Sequence, residues 1–278
     1  MIKQLLSHAF KGLPLSLLDR LSQLESNPTA SRIVRLGVRN RNVTICNGVG
    51  AGLKFNAGSS NPDYALGTNE YPVQQALARY LKPGDTFYDI GANIGFFTVI
   101  GARLVGSTGR VYAFEPVPEN AASLQRNADL NQFHHVTVFE KAVSCSQGKG
   151  ELLLTHHPGG ATLSIADQPP DMKGAIAIDL VSIDRLIAQQ KLAPPAVVKI
   201  DVEGAELDVL HGMSQTIKEF KPAIICEIDA QHKENFMHKN QEFEAFMRAL
   251  GYEITTLKPA YPATGWHVGH TVATPSAA

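Results

Sequence analysis

Residues 86–97 read TFYDIGANIGFF. An apolar and aromatic run leads to Asp89, then come Gly91, Asn93 and Gly95, and apolar residues resume at once. This is the pattern of a β-strand that turns sharply into a helix. Glycine admits backbone conformations closed to other residues, and the first turn of the helix offers N–H groups with no partner of their own. In doubly wound sheets, ligands bind beyond the carboxyl ends of the strands where the strand order reverses, and a turn of this kind sits there.

Outward from that turn, strand-like and helix-like segments alternate. GFFTVIGARLV, PENAASLQRNADLN, AELDVLHGMSQTIKEF and KNQEFEAFMRAL carry helical spacing, whereas GRVYAFEP, VTVFEKAV, AVVKIDVEG, AIICEID and YEITTLKP read as strands. Helices between strands imply parallel crossovers, hence a doubly wound α/β sheet covered on both faces. Upstream, EYPVQQALARYL reads as a helix opened by Pro72. SRIVRLGVRNRNVTICNGVGAGLKFNAG alternates apolar and polar residues between glycines and suggests short antiparallel strands. The leucine-spaced N-terminus predicts a docked helix. Residues 154–174, LTHHPGGATLSIADQPPDMKG, break the alternation and read as a long loop, a candidate lid that carries His156 and His157. The expected division is an N-terminal helix and β extension over residues 1–65 and a catalytic domain over residues 66–278.

The ligand at the turn is constrained by what is missing. A dinucleotide fingerprint starting at Gly91 would need glycine where Asn93 and Phe96 stand, and no Lys-Ser or Lys-Thr pair follows to make a P-loop. A carboxylate just before the turn, Asp89, repels pyrophosphate and favours an ammonium. S-adenosylmethionine carries an amino group and no phosphate. Glu115, at the end of the next strand, can take both hydroxyls of a ribose, a role compatible with either NAD or S-adenosylmethionine. The third strand ends at Glu140, Lys141 and Ala142, of which Glu140 is taken as the base-side contact.

The second dense cluster is VVKIDVEGAE, residues 197–206. As a strand it would place Lys199, Asp201 and Glu203 on one face, and buried charges need partners or a purpose. With Glu227 at a comparable level, Asp201 and Glu203 suit an acidic pocket for a hydroxyl-bearing substrate, a general base or a divalent cation. Spacing alone defines no metal ligand set, and none is assigned. A Lys199–Asp201 pair, with Glu206 in the first turn of the following helix, is the structural alternative. His267 and His270 have no identifiable partner in the sequence.

Bulk properties narrow the partners. The 278 residues carry 25 Lys and Arg against 26 Asp and Glu, so no global field draws the protein to nucleic acid or an acidic membrane. No apolar run is long enough to span a bilayer. Cys46, Cys145 and Cys226 are isolated, which suits a reducing cytoplasm.

Taken in order, DIGANIGFF, VYAFEPVPENAASLQRNADLN, KAVS, SIDRL, VVKIDVEGAELDVLHGM and AIICEI resemble the FkbM-type S-adenosylmethionine-dependent methyltransferases over roughly residues 66–257. The resemblance implies a Rossmann-like, mostly parallel sheet with an antiparallel final strand, for which YEITTLKP and GWHVGHT supply a hairpin. By matching position, Asp89, Gly91, Asn93 and Gly95 would hold the methionine part and Glu115 the ribose. The implied reaction is O-methylation of a hydroxyl on a sugar, glycolipid, polyketide or related metabolite, with Asp201 and then Glu203 as base or substrate orienter. The rivals are an NAD-dependent oxidoreductase and a non-catalytic S-adenosylmethionine-binding module.

Overall fold

The computed structural model describes residues 10, 12–24, 27–155, 161–163, 172–189, 191–261 and 267–276. The chain opens with helices α1 (Leu15–Ser22) and α2 (Pro28–Val38), followed by a hairpin of β1 (Asn42–Thr44) and β2 (Lys54–Asn56). Residues 31–38, expected to be extended, are helical. Asn27 caps α2 by accepting from the N–H groups of Thr29 and Ala30, and Pro28 fits the first turn. Buried Ala30, Val34, Gly37 and Val38 then form one helical face, and a Cβ at Gly37 would lie 2.7 Å from Leu18 of α1, so the two helices cross in close contact there.

Helices α3 (Pro62–Leu66) and α4 (Tyr71–Tyr80) lead into β3 (Thr86–Ile90), α5 (Phe96–Val105), β4 (Arg110–Phe114), α6 (Pro118–Leu130) and β5 (Val136–Phe139). The chain then leaves the main sheet through β6 (Ala142–Val143), β7 (Gly148–Thr155), β8 (Ala161–Leu163) and β9 (Met172–Val181), which form a separate four-stranded sheet. Residues 154–174 are therefore not simply a loop: their described parts are strand, with β7 antiparallel to both β8 and β9. His156 and His157 lie outside the described residues.

Helix α7 (Ile183–Ala188) returns the chain to β10 (Val197–Ile200), α8 (Glu206–Gly212), α9 (Ser214–Phe220), β11 (Ala223–Ala230), α10 (Lys233–Ala249), β12 (Tyr252–Thr256) and β13 (His267–Pro275). The stretch AELDVLHGMSQTIKEF is two helices, broken at Met213, whose φ of −131° lies outside the helical range. The main sheet has seven strands in the order β12-β13-β11-β10-β3-β4-β5. The strands from β11 to β5 are mutually parallel, and β13 inserts antiparallel between β11 and β12. The strand order reverses between β3 and β10, which puts the glycine turn at the switch point.

The pleat splits the core in two. Phe87, Val197, Ile225 and Val272 pack with α4, α5 and the N-terminal helices, whereas Tyr88, Ile200, Ile224 and Ala273 pack with α8, α9 and α10. The N-terminal segment is stitched to the first of these layers. Asn127 of α6 takes the Asn56 N–H on its Oδ1 at 2.8 Å and donates to the Ile94 carbonyl at 2.9 Å, joining β2 to the glycine turn.

Candidate active site

At the carboxyl edge of the sheet the last laddered row is Ile90, Ile200 and Cys226. One residue further come Gly91, Asp201 and Glu227, and Glu227 pairs across β11 and β13 with His270. A single row therefore carries the glycine turn at one end and an acid and histidine group at the other. The Asp201 N–H binds the Ile90 carbonyl at 3.0 Å, fixing the two loops side by side.

The turn half is built of acceptors. Asp89 is fully buried, and its Oδ2 accepts from Thr98 Oγ1 at 2.5 Å, while Oδ1 has no hydrogen-bond partner among the described residues. Asn93 Oδ1 is likewise buried and unpartnered. Burial raises the Asp89 carboxyl, against the pull of Lys199. Two orphaned acceptor oxygens at one turn suit an ammonium and repel a phosphate.

Glu115 is held by three donors: the Asn93 N–H at 2.8 Å, the Val117 N–H at 2.9 Å and Asn120 Nδ2 at 3.5 Å. It both braces the turn and holds the Val117 N–H just ahead of α6. Burial pushes its carboxyl up to about 7, although the amide donors pull the other way. Glu140 lies one residue past β5, exposed, at the corner where the chain departs for the second sheet.

The glycines have a reason the sequence did not show. Gly91 has φ of +77°, and a Cβ there would sit 1.7 Å from the Asp201 carbonyl oxygen. Gly95 has φ of +88°, and its Cβ would meet Leu124 of α6 at 2.7 Å. Both are required by protein packing, whatever ligand the turn holds. Asn93 takes φ of +50°, which asparagine tolerates better than most residues.

In the second half, Lys199 is the central cation. Its side chain is 3% exposed, and Nζ lies 2.8 Å from Asp201 Oδ2 and 4.7 Å from the centre of the Phe97 ring. Burial disfavours the ammonium, but Asp201, Asp89 and Glu70 outweigh it and raise its pKa. Glu203 does not continue the strand: β10 ends at Ile200, and Glu203 adopts φ of +50° ahead of Gly204. The expected one-face alternation therefore holds for Lys199 and Asp201 and fails at Glu203. Glu206 is buried in the first turn of α8 and accepts from the Gly204 N–H at 2.7 Å, with burial raising its carboxyl to about 7.

Further residues converge here. Glu70, the left-handed N-cap of α4, is buried and accepts from Tyr261 Oη at 2.6 Å and Asn69 Nδ2 at 2.9 Å. His270 Nε2 lies 3.2 Å from Glu70 Oε2 and 2.6 Å from Glu227 Oε2. Tyr64, partly buried, lies beside Glu70 and Asp201, and desolvation raises its phenol. Burial and the charges of Asp201 and Glu70 push the Glu227 carboxyl up. His135 and His211 have structural roles: His135 hydrogen-bonds the Ala102 carbonyl, and His211 packs edge-on against Phe246.

The strand order is that of a Rossmann-like methyltransferase fold, with the glycine turn and the acids Asp201 and Glu227 in one row. Residues 89–254 match the methyltransferase FkbM domain, and the chain belongs to that family. It is 30% identical over 161 residues to the hexuronic acid methyltransferase AglP of Haloferax volcanii, covering 58% of this chain and 63% of that protein. It is 33% identical over 162 residues to the 31-O-demethyl-FK506 methyltransferase FkbM of Streptomyces tacrolimicus, covering 48% and 61% respectively. The chain thus spans less than two thirds of the length of these relatives. Among solved structures, a methyltransferase FkbM of Methylobacillus flagellatus aligns with a TM-score of 0.46 at 19% identity, over 76% of this chain and 52% of that one. Among the described residues, no helix is long and apolar enough to cross a membrane.

Proposed function

We propose that the protein is an S-adenosylmethionine-dependent O-methyltransferase acting on a hydroxyl of a sugar, glycolipid, polyketide or related metabolite. The observation that carries this reading is the shared row: orphaned acceptors at the Gly91 turn stand next to Asp201, with no intervening strand. Asp89 and Asn93 would receive the amino end of the donor, Glu115 the ribose, and Glu140 the base side. When bound, the donor supplies a sulfonium-activated methyl group. The chain then has to hold an acceptor hydroxyl in line, and positioning of that kind can be worth effective molarities of about 10⁵ M or more. Asp201, a quarter exposed and anchored by Lys199, would orient that hydroxyl and draw on its proton, with Glu203 second. The names of the relatives favour uronic acids and polyketides as first acceptors to test.

Calorimetry with S-adenosylhomocysteine and NAD, followed by methyl transfer to uronic-acid glycosides, tests the reading. Binding of NAD alone would point to an oxidoreductase, and donor binding with no methylated product across a broad hydroxyl screen would point to a binding module. Asp201→Asn is expected to lower kcat about 100-fold while leaving donor affinity within about threefold. An unchanged kcat would remove Asp201 from the reaction.

The Glu115 carboxyl gives the donor site a pH signature. Its folded value near 7 lies above the usual 4.5, so the free protein is protonated there at lower pH. Ribose hydroxyls donate to the ionised form, so binding below pH 7 must expel a proton. Affinity for S-adenosylhomocysteine should fall as pH drops below 7, by up to about tenfold per unit, and level off above it. The fold carries the opposite sign: a raised carboxyl contributes stability at low pH that is lost as pH rises through 7. In Glu115→Gln the affinity should be lower and flat with pH; a slope retained in that variant would assign the titration elsewhere.

A further inference from the structure

We infer that Glu70, Glu227 and His270 form a binding site for a single divalent transition-metal ion. Glu70 Oε2, Glu227 Oε2 and His270 Nε2 lie within 4.8 Å of one another, brought together from the α4 cap, β11 and β13. The group is no exposed acidic patch, since the side chains of Glu70 and His270 are 5% and 2% exposed. Ligand atoms about 2.1 Å from one shared ion stand roughly 3 Å apart, and the two nitrogen–oxygen separations here are 2.6 and 3.2 Å.

No placement of protons on the imidazole alone completes this arrangement. A hydrogen on Nε2 aligns with Glu70, and Glu227 Oε2, though 2.6 Å away, is buried without a hydrogen bond among the described residues. Protonating both ring nitrogens strands Nδ1–H, which is buried with no partner among the described residues. Placing the proton on Nδ1 alone leaves the Nε2 lone pair facing two carboxylates. A cation between the three atoms would give Nε2 and both Oε2 atoms one shared partner. Glu70 is also oriented from behind, because Tyr261 and Asn69 hold its other oxygen, Oε1, and leave Oε2 for the centre. One imidazole and two carboxylates make a mixed nitrogen and oxygen set, which suits Mn²⁺, Fe²⁺ or Zn²⁺ better than an all-oxygen ion such as Ca²⁺. The ion would stand one strand from Asp201, on the acceptor side of the row.

The site is tested without methyl donor or acceptor, so its failure and that of the methyltransferase reading are separate results. Full-length protein stripped with chelator and titrated with Mn²⁺ should bind one equivalent, by calorimetry and by loss of the free-ion electron paramagnetic resonance signal, and Zn²⁺ should compete. Glu227→Gln should weaken Mn²⁺ at least 100-fold, and Tyr261→Phe about tenfold through the freed Glu70. Should Glu227→Gln fail to fold, pulsed electron paramagnetic resonance of the Mn²⁺-loaded native protein decides, because one directly bound imidazole gives ¹⁴N modulation. No saturable binding of Mn²⁺ or Zn²⁺ up to about 1 mM, equal affinity in Glu227→Gln, or absence of ¹⁴N modulation would each overturn the site.

Discussion

Replacing Lys199 by methionine is expected to cost about 3–5 kcal/mol of folding stability at pH 7, the range found when one member of a buried ion pair is removed. Methionine keeps most of the length and the apolar stem, so packing changes little. What is lost is the one charge that faces Asp201 at 2.8 Å and also offsets Asp89 and Glu70. Those carboxylates are left in a medium that penalises the charged form, and the contact with the Phe97 ring goes as well. The pH dependence follows from Asp89. Its carboxyl is already raised by burial, and Lys199 is the largest influence lowering it. A carboxyl raised above its unfolded value contributes stability at low pH that is lost as pH rises. Without Lys199 that loss extends to higher pH, so the deficit of the variant should shrink between pH 8 and pH 5. Urea unfolding at both pH values measures it. A loss below about 1 kcal/mol, independent of pH, would mean that the lysine is not the hub of this network.

The parallel part of the sheet was legible because its signals are local. Apolar runs, helical spacing and the glycine turn each sit within a dozen residues, and the order of segments implies the crossovers. The Lys199–Asp201 pair and the place of Glu206 were open to the same kind of reasoning, being set by spacing along one strand and one helix turn. Three things were hidden for physical reasons. Residues 31–38 are too few to separate a period of two from one of 3.6, and the Asn27-Pro28 start signal lies just upstream of the stretch whose alternation suggests a strand. Glu203 leaves the strand because a left-handed turn intervenes before Gly204, and a two-residue alternation cannot register that. The pairing of His270 with Glu70 joins positions 200 residues apart in the chain, so no spacing rule reaches it. A signal did exist at Glu70: a carboxylate immediately before Tyr71-Pro72 sits where a helix begins, which marks it as a candidate cap. Nothing in the sequence indicated that β13 would insert between β11 and β12 and carry the histidine to Glu227.

Gly91→Ala is expected to abolish donor binding and to lower stability by about 4 kcal/mol or more, the range kept for single substitutions with an identifiable backbone or core lesion. Two penalties add. A left-handed backbone at φ of +77° costs a residue with a Cβ of order 1–3 kcal/mol when the fold enforces it. The larger penalty is steric, because the new methyl would lie 1.7 Å from the Asp201 carbonyl oxygen, and that atom is backbone with no rotamer to yield. Relief requires the β3 turn and the loop after β10 to part. The Asp201 N–H would then lose its bond to Ile90, and the Gly91 and Ala92 N–H groups would be pulled from the Phe114 carbonyl they share. The damage should thus reach both halves of the row, displacing Asp89 and Asn93 from the donor and Asp201 from the acceptor. Asn93→Gly is the matched control. It relieves the positive φ at the next-but-one position and removes only the amide, so its stability should stay within about 1 kcal/mol of the native chain while donor affinity falls. Thermal unfolding and calorimetry with S-adenosylhomocysteine on both variants separate the cases. If Gly91→Ala melted with the native protein and bound the donor normally, the close approach of the two loops would not be what couples donor and acceptor sites. A defect of equal size in Asn93→Gly would shift the cause from the Asp201 contact to the conformation of the turn itself.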